Sequence, residues 1–427
     1  MRRIAAASFA VLAMCSCQLA FSTVGSWTRI DGPPSPIATN NAVALPDGRV
    51  AFFRGFVQLY DPSTDAWTKG AVMPDPFVPE VVAVLQDGTV LLEGGLDQND
   101  NPRGMTWIYD PSRNTWTQAG SVIEPRSGPA SAVLTDGRVL IAGGGLPLSQ
   151  PITLPNGAQV NFQATTSAEI FDPQTRKWSK AGNLESERDG IGLVALGGGG
   201  ALAAGGCQGN AGFQPPVATA EFFDPATLSW SPTAPVPKPV CGATSMALRD
   251  GRALIVDQFG FLTPYGFQFS SSFDSFVYDP KARQWSATGQ LAGGGSRAVM
   301  LDDGRVMVPE TRQGTVKGHT FDETVGGQIF DPATNQWTFA TTTSVLIPIA
   351  YLFESDNQLS VPLPNGEALV LLPTATLVYH ARVPPPPSEV LDSTGLTFEL
   401  GVAALVIVLL LVLAYRRAIR SNPSKLT

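Results

Sequence analysis

The chain has 427 residues, 9% of them aromatic, and a formal net charge of −8. Six basic residues stand at the two ends, so the remainder carries −14, which argues against nucleic acid and anionic lipid headgroups as partners of the main body. With only two histidines, His319 and His380, imidazole-based metal or triad chemistry has little to draw on.

In chain order, Arg2-Arg3, the apolar run 4–14 and the small residues beyond read as a secretory signal over residues 1–22. The run is too short to span a bilayer. Cys15 and Cys17 leave a lipidated N-terminus open beside ordinary cleavage. Trp27 follows in a strand-like segment, residues 25–30. Then one motif recurs six times: an aromatic, Asp, Pro, and a Trp seven places after the aromatic. The copies begin at Tyr60, Tyr109, Phe171, Phe223, Tyr278 and Phe330, and end at Trp67, Trp116, Trp178, Trp230, Trp285 and Trp337. Counted from Trp27, the mean step is about 52 residues, the size of one supersecondary unit copied along an array or around a ring.

Asp-Pro suits a type I turn, and its flanks read as two strands of a hairpin. Upstream of each copy lies a second hairpin, turned by Asp47-Gly48, Asp87-Gly88, Asp136-Gly137, Asp250-Gly251 or Asp303-Gly304. Asn365-Gly366 takes that role near the end, and glycines 197–200 take it in the fourth copy. Each copy therefore supplies four strands. A four-stranded sheet buries both faces only against neighbours, so the copies are expected to stack radially, with the seven Trp residues packed between them. Residues 359–363, 368–372 and 376–380 supply three strands and lack a fourth; Trp27 supplies a fourth and lacks the other three. The expectation is an all-β, seven-bladed propeller over residues 23–380, closed by the N-terminal strand. The alternative is an open array of six.

The glycine pairs Gly94-Gly95, Gly143-Gly144 and Gly205-Gly206, with the aromatic, six residues, Trp pattern, resemble kelch repeats over about residues 24–380. The Asp-Pro and Asp-Gly-Arg-Val elements are similar to the propeller of galactose-oxidase-like proteins. Such enzymes imply a copper site of paired His, Tyr ligands and a Cys crosslink. No such cluster is legible in this chain, so the resemblance implies the fold and not the activity, and no metal or cofactor is expected.

Alternating connections place the Asp-Gly and Asp-Pro turns on one face. The second-to-third loops and interblade links share the other, and there the long segments fall: 145–166, 207–219, 231–244, 258–275 and 311–327. Function is expected on that face. Phe261, Tyr265, Phe267 and Phe269 offer a stacking platform for sugar rings or a partner's apolar surface, or else lengthen the third strand. Residues 152–160 read as an extra hairpin around Asn156-Gly157. Arg126, Arg188 and Arg297 each precede a first strand and are candidates to grip an anion at the channel mouth; for Arg188 an ion pair with Asp189 or Glu187 is the competing role. Cys207 and Cys241 read as a disulfide, with free thiols as the alternative. Residues 97–101 resemble the start of a calcium loop, but Pro102 and Ile108 stand where Gly and Glu are needed.

Residues 381–397, with four consecutive prolines from Pro384, read as a stiff linker, and 398–415 as a transmembrane helix. The basic tail, 416–427, places the C-terminus in the cytosol. A cleavable surface-sorting tail has the same layout. The sequence reads as a membrane-tethered, extracytoplasmic module binding a protein or glycan at the cell surface. Its alternatives are a carbohydrate-active enzyme using mouth carboxylates and a structural spacer.

Overall fold

The computed structural model describes residues 25–33, 41–75, 77–97, 101–153, 157, 159–208, 215–257, 261–263, 266–268, 273–291, 298–312, 316–317, 320–348, 359–372 and 375–381. The chain divides into two compact units, 1–382 and 383–427, and every described residue belongs to the first. The signal-like segment, the apolar run near the C-terminus and the basic tail lie outside the described residues. No helix among the described residues is long and apolar enough to cross a membrane.

The first sheet shows how the repeat folds. Strands Ala42–Ala44, Val50–Arg54, Phe56–Asp61 and Ala66–Val72 pair antiparallel in chain order. Gly48 takes φ +91° in the first turn, and the Asp47 carboxylate accepts the Arg49 backbone N–H at 3.0 Å. A β-carbon resists that φ, which is why glycine recurs there. The Asp-Pro turn is longer than a simple type I turn. Asp61 pairs with Ala66, and Asp65 between them is left-handed at φ 51°. Asn114, Arg176, Leu228, Arg283 and Asn335 repeat that conformation two residues before each later Trp. The extra residue sets the aromatic directly across from the Trp, with ring centroids 4.9–5.3 Å apart in all six copies.

The same four-strand path runs from Val81–Val84 to Thr115–Gln118, from Gly192–Ala195 to Ser229–Pro232, and from Thr244–Ala247 to Gln284–Leu291. The third sheet uses Ala130–Val133, Val139–Ala142, Gln159–Asp172 and Lys177–Arg188, and carries an added strand, Gly145–Thr153. In the sixth, Val299–Met300, Val306–Arg312, Thr320–Asp331 and Gln336–Phe339 are joined by Val316–Lys317 and Thr343–Pro348. Much of the loop expected at 311–327 is therefore strand, because the sixth sheet prolongs its second and third strands. In the last sheet, Ser26–Ile30 lies against Ala375–His380, with Trp27 opposite Tyr379.

Apolar clusters link each sheet to the next. Phe53 packs with Leu92 and Tyr109, Leu91 with Ile141, Leu140 with Leu193, and Leu202 with Ile255. Leu254 packs with Val306, and Met307 with Tyr379. Finally Leu371 of the last sheet shares a cluster with Phe52 and Tyr60 of the first. The succession returns to its start, as in a β-propeller. The aromatics before Asp-Pro are buried. The Trp rings are half-buried except Trp178, which is buried. Most of their indole N–H groups reach back to the preceding sheet or link. Trp178 donates to Thr106 at 2.9 Å, Trp230 to the Ala181 carbonyl at 2.9 Å, and Trp27 to the Thr341 carbonyl at 2.7 Å. Trp116 is the exception, with no partner for its N–H.

Candidate functional site

Two arginines organise the long-loop face. Arg126 is fully buried: its guanidinium donates to the carbonyls of Gly143 at 3.3 Å and Ser167 at 2.7 Å, and to Glu169 at 2.8 Å. Gly143 and Ser167 are the two feet of the insertion that carries the added strand. Arg188, also fully buried, repeats the arrangement one sheet later, donating to the Gly205 and Thr219 carbonyls at 3.1 and 3.0 Å and pairing with Glu221. Each arginine thus ties together the two ends of the second-to-third loop in the sheet whose first strand follows it. This corrects the expectation that Arg126 and Arg188 open onto the channel mouth. Both side chains are buried and their terminal nitrogens are bonded within the protein, although the Arg188 Nε has no partner, and the partner of Arg188 is Glu221, not Asp189 or Glu187. Burial pushes the Arg188 pKa down, and the Glu221 carboxylate opposes that shift. The glycine doublets make the close approach possible. A β-carbon at Gly143 would lie 2.4 Å from the Arg188 carbonyl oxygen, and one at Gly205 2.6 Å from that of Val240.

Between the second and third sheets lies an acidic group. Glu93 ends the strand Val90–Glu93, where the register-equivalent residues of the next two sheets are Ala142 and Ala204. It is fully buried and neither carboxylate oxygen has a hydrogen-bond partner. Burial pushes its pKa up to about 8, Arg126 pulls it down, and Glu80 and Glu169 add to the rise. Burial also raises the Glu80 pKa, opposed by hydrogen bonds from the Gly128 backbone and the Ser127 side chain.

The insertion is a two-stranded arm, Gly145–Thr153 against the first part of Gln159–Asp172, where the extra hairpin was expected. Pro147, Ser149, Gln150, Ile152, Thr153 and Gln163 are exposed on it. At its root is a cavity of about 180 Å³, lined by Ile123, Glu124, Leu146, Thr165–Glu169, Lys180 and Asn183. Glu169 is already engaged there, accepting the Ile123 and Glu124 backbone N–H groups at 2.7 and 3.0 Å as well as Arg126. Glu124, 3.7 Å from Arg126, joins Lys180, Asn183 and the Thr166 hydroxyl in the polar lining, beside Thr165 and Ser167, whose hydroxyls bond each other. Sequence reasoning missed this cavity because its walls come from an interblade link, a third strand and a fourth strand, with no local motif among them.

Cys207 and Cys241 are bonded, with Cα atoms 5.2 Å apart, and the Asp189 carboxylate stands beside the bridge. The bond pins the fourth sheet's loop to the link that follows it. Phe261 and Phe267 lie in a separate small hairpin, Phe261–Thr263 with Gly266–Gln268, and not in a prolonged third strand, which begins at Phe273. Tyr265, Phe269, Arg297 and His319 lie outside the described residues. Both ring nitrogens of His380 are engaged, with Glu367 at 2.7 Å and Thr28 at 2.9 Å. Among the described residues, one imidazole so held and two cysteines joined to each other do not make up the ligand set of the copper site that galactose-oxidase-like enzymes imply.

No family model and no curated protein matches the chain. Among solved structures, it is similar to YjhT, with 17% identity and a TM-score of 0.52 over 73% of this chain and 99% of that one. It is also similar to a fungal alcohol oxidase of the AA5 family, solved in complex with copper, with 16% identity and a TM-score of 0.55 over 83% of this chain and 76% of that one. Identities this low show the fold alone: a galactose-oxidase-like β-propeller.

Proposed function

We propose that the chain is a seven-bladed propeller held outside the cytoplasm by one C-terminal span, and that it binds a protein or glycan at the cell surface through its long-loop face. The contrast between the two faces carries this reading. One face repeats the same Asp-Gly and Asp-Pro turns sheet after sheet. The other bears a projecting arm, a polar cavity and a disulfide-pinned loop on a scaffold of buried Arg–Glu pairs. Seven sheets of four to six strands among the described residues, each sharing an apolar cluster with the next, support the blade count. The signal-like start, the proline linker and the apolar run before a basic tail support export and tethering. No cofactor or nucleic acid enters this reading.

The rival, a carbohydrate-active enzyme, would draw on Glu80 and Glu93, whose carboxyls are both pushed up. Full burial of Glu93 weighs against it. The test immobilises the full-length protein and measures binding to intact cell envelopes and a glycan panel. Shortening the arm at 147–163 to a tight turn should abolish binding, whereas Lys281→Glu on the turn face should leave it unchanged. The opposite pattern refutes the assignment of faces, and glycan turnover lost in Glu80→Gln would establish the enzyme instead.

A further inference from the structure

The cavity at the root of the arm has a chemistry of its own. No residue from 139 to 168 is charged, so the whole arm and both its feet are neutral in a chain of net charge −8. The second-to-third segment of the neighbouring fourth sheet repeats this, with no charged residue from 190 to 220. Amides and hydroxyls take the place of charges on the arm, where Ser149, Gln150, Thr153, Gln159 and Gln163 are exposed. The cavity at its base mixes the carboxylates of Glu124 and Glu169, the Lys180 ammonium, the Asn183 amide and the hydroxyls of Thr165, Thr166 and Ser167 with apolar Leu146 and Ile123, the latter 50% exposed. With the Arg126 guanidinium behind it, which pairs with both glutamates, its charges balance, so it offers no net field to an ion. Its volume of about 180 Å³ is below the ~300–1,000 Å³ of drug-sized sites, and suits one ring.

We propose that this cavity takes a single ring of a neutral, hydroxyl-rich glycan, with the adjoining rings lying along the uncharged arm. The ligand's hydroxyls both donate and accept. Glu124 accepts from them, Lys180 donates to them, and Asn183 and Thr166 do both. The C–H faces of the ring meet Leu146 and Ile123. An anionic glycan gains nothing from an arm without cations, and its carboxylate would have to be stripped of water beside Glu124. The site lies at the third sheet's outer strands, away from any axial channel. It rests on the binding-module reading and narrows it to one ligand class and one place.

The test is titration of the full-length protein with neutral, uronate-containing and sulfated oligosaccharides, at low and high salt. Neutral oligosaccharides should bind best, with affinity nearly independent of salt. Asn183→Ala and Thr166→Val should each weaken binding several-fold, and together at least tenfold, with the melting temperature unchanged. Gln163→Glu on the arm should weaken longer oligosaccharides and spare the shortest that binds. Preference for a charged glycan, a steep salt dependence, or displacement by a free zwitterionic amino acid overturns the ligand class. Undiminished neutral-glycan binding by the Asn183→Ala/Thr166→Val protein overturns the site while leaving the long-loop reading standing. Loss of envelope binding on arm removal, with no glycan bound by the unaltered protein, leaves a protein partner as the ligand and refutes the inference alone.

Discussion

Replacing Glu93 with glutamine isolates the most unusual charge in the structure. Its carboxylate is buried without a hydrogen-bond partner, and its pKa rises from 4.5 to about 8. Between those values the folded protein keeps a proton that the unfolded chain releases. The folded state is thus favoured by low pH, and stability falls as pH rises through the window. The slope is about 1.4 kcal/mol per pH unit, and the full loss above pH 8 approaches about 5 kcal/mol if the site stays dry. Arg126 reduces the loss, since its attraction favours the charged form, while Glu80 and Glu169 increase it. Glutamine has nearly the same shape and no titration. Urea unfolding at pH 5, 6.5, 8 and 9 should therefore show the unaltered protein losing several kcal/mol relative to Glu93→Gln, the two converging near pH 5. Hydrogen exchange over residues 90–93 should speed up with pH beyond the chemical baseline in the unaltered protein only. Parallel pH profiles for the two proteins would refute the reasoning, because the carboxylate would then have to be solvated or paired in the folded state.

Two further outcomes follow from the same accounting of buried and strained groups. Glu221→Gln leaves the Arg188 guanidinium buried without its counter-charge and should cost about 3–5 kcal/mol, read as a lowered urea midpoint; the fourth sheet's loop should lose protection first. Arg283 is exposed and left-handed at φ 52°, so Arg283→Gly should stabilise by about 1 kcal/mol, measured as a raised melting temperature; Leu228→Gly should not, because Leu228 packs against an apolar cluster.

The architecture was legible because the repeat writes its turns in residues with strong local preferences. Asp-Gly and Asp-Pro located eleven hairpin turns without reference to anything distant, and the strand-short last copy pointed to Trp27 as its missing partner. The left-handed residue before each Trp was less visible: asparagine at 114 and 335 and aspartate at 65 suit it, but Arg176, Leu228 and Arg283 do not announce it. The arginines were misplaced for a different reason. Arg126 precedes Glu169 by 43 residues and Arg188 precedes Glu221 by 33, because the loops between differ in length. Yet Glu169 and Glu221 share one repeat position, two before the aromatic. The other copies carry Gln58, Trp107, Phe276, Gln328 and Leu377 there. A polar residue facing inward at a position otherwise amide or apolar was the available signal.

Those two pairs also explain why the long-loop face can vary. A loop inserted between the second and third strands tends to splay the sheet at its open end. Arg126 holds the feet of a long arm and Arg188 the feet of a shorter loop with the same three contacts. What lies beyond the feet is released from any duty to hold the sheets together. The disulfide adds a covalent tie at Cys207, directly after the Gly205-Gly206 doublet. Constraint thus ends abruptly at Gly145 and Cys207, and the uncharged segments, 139–168 and 190–220, enclose the stretches that these anchors bound. A recognition surface can change length and chemistry there at little cost to the fold, while the Asp-Gly and Asp-Pro face, whose side chains close their own turns, has no such freedom.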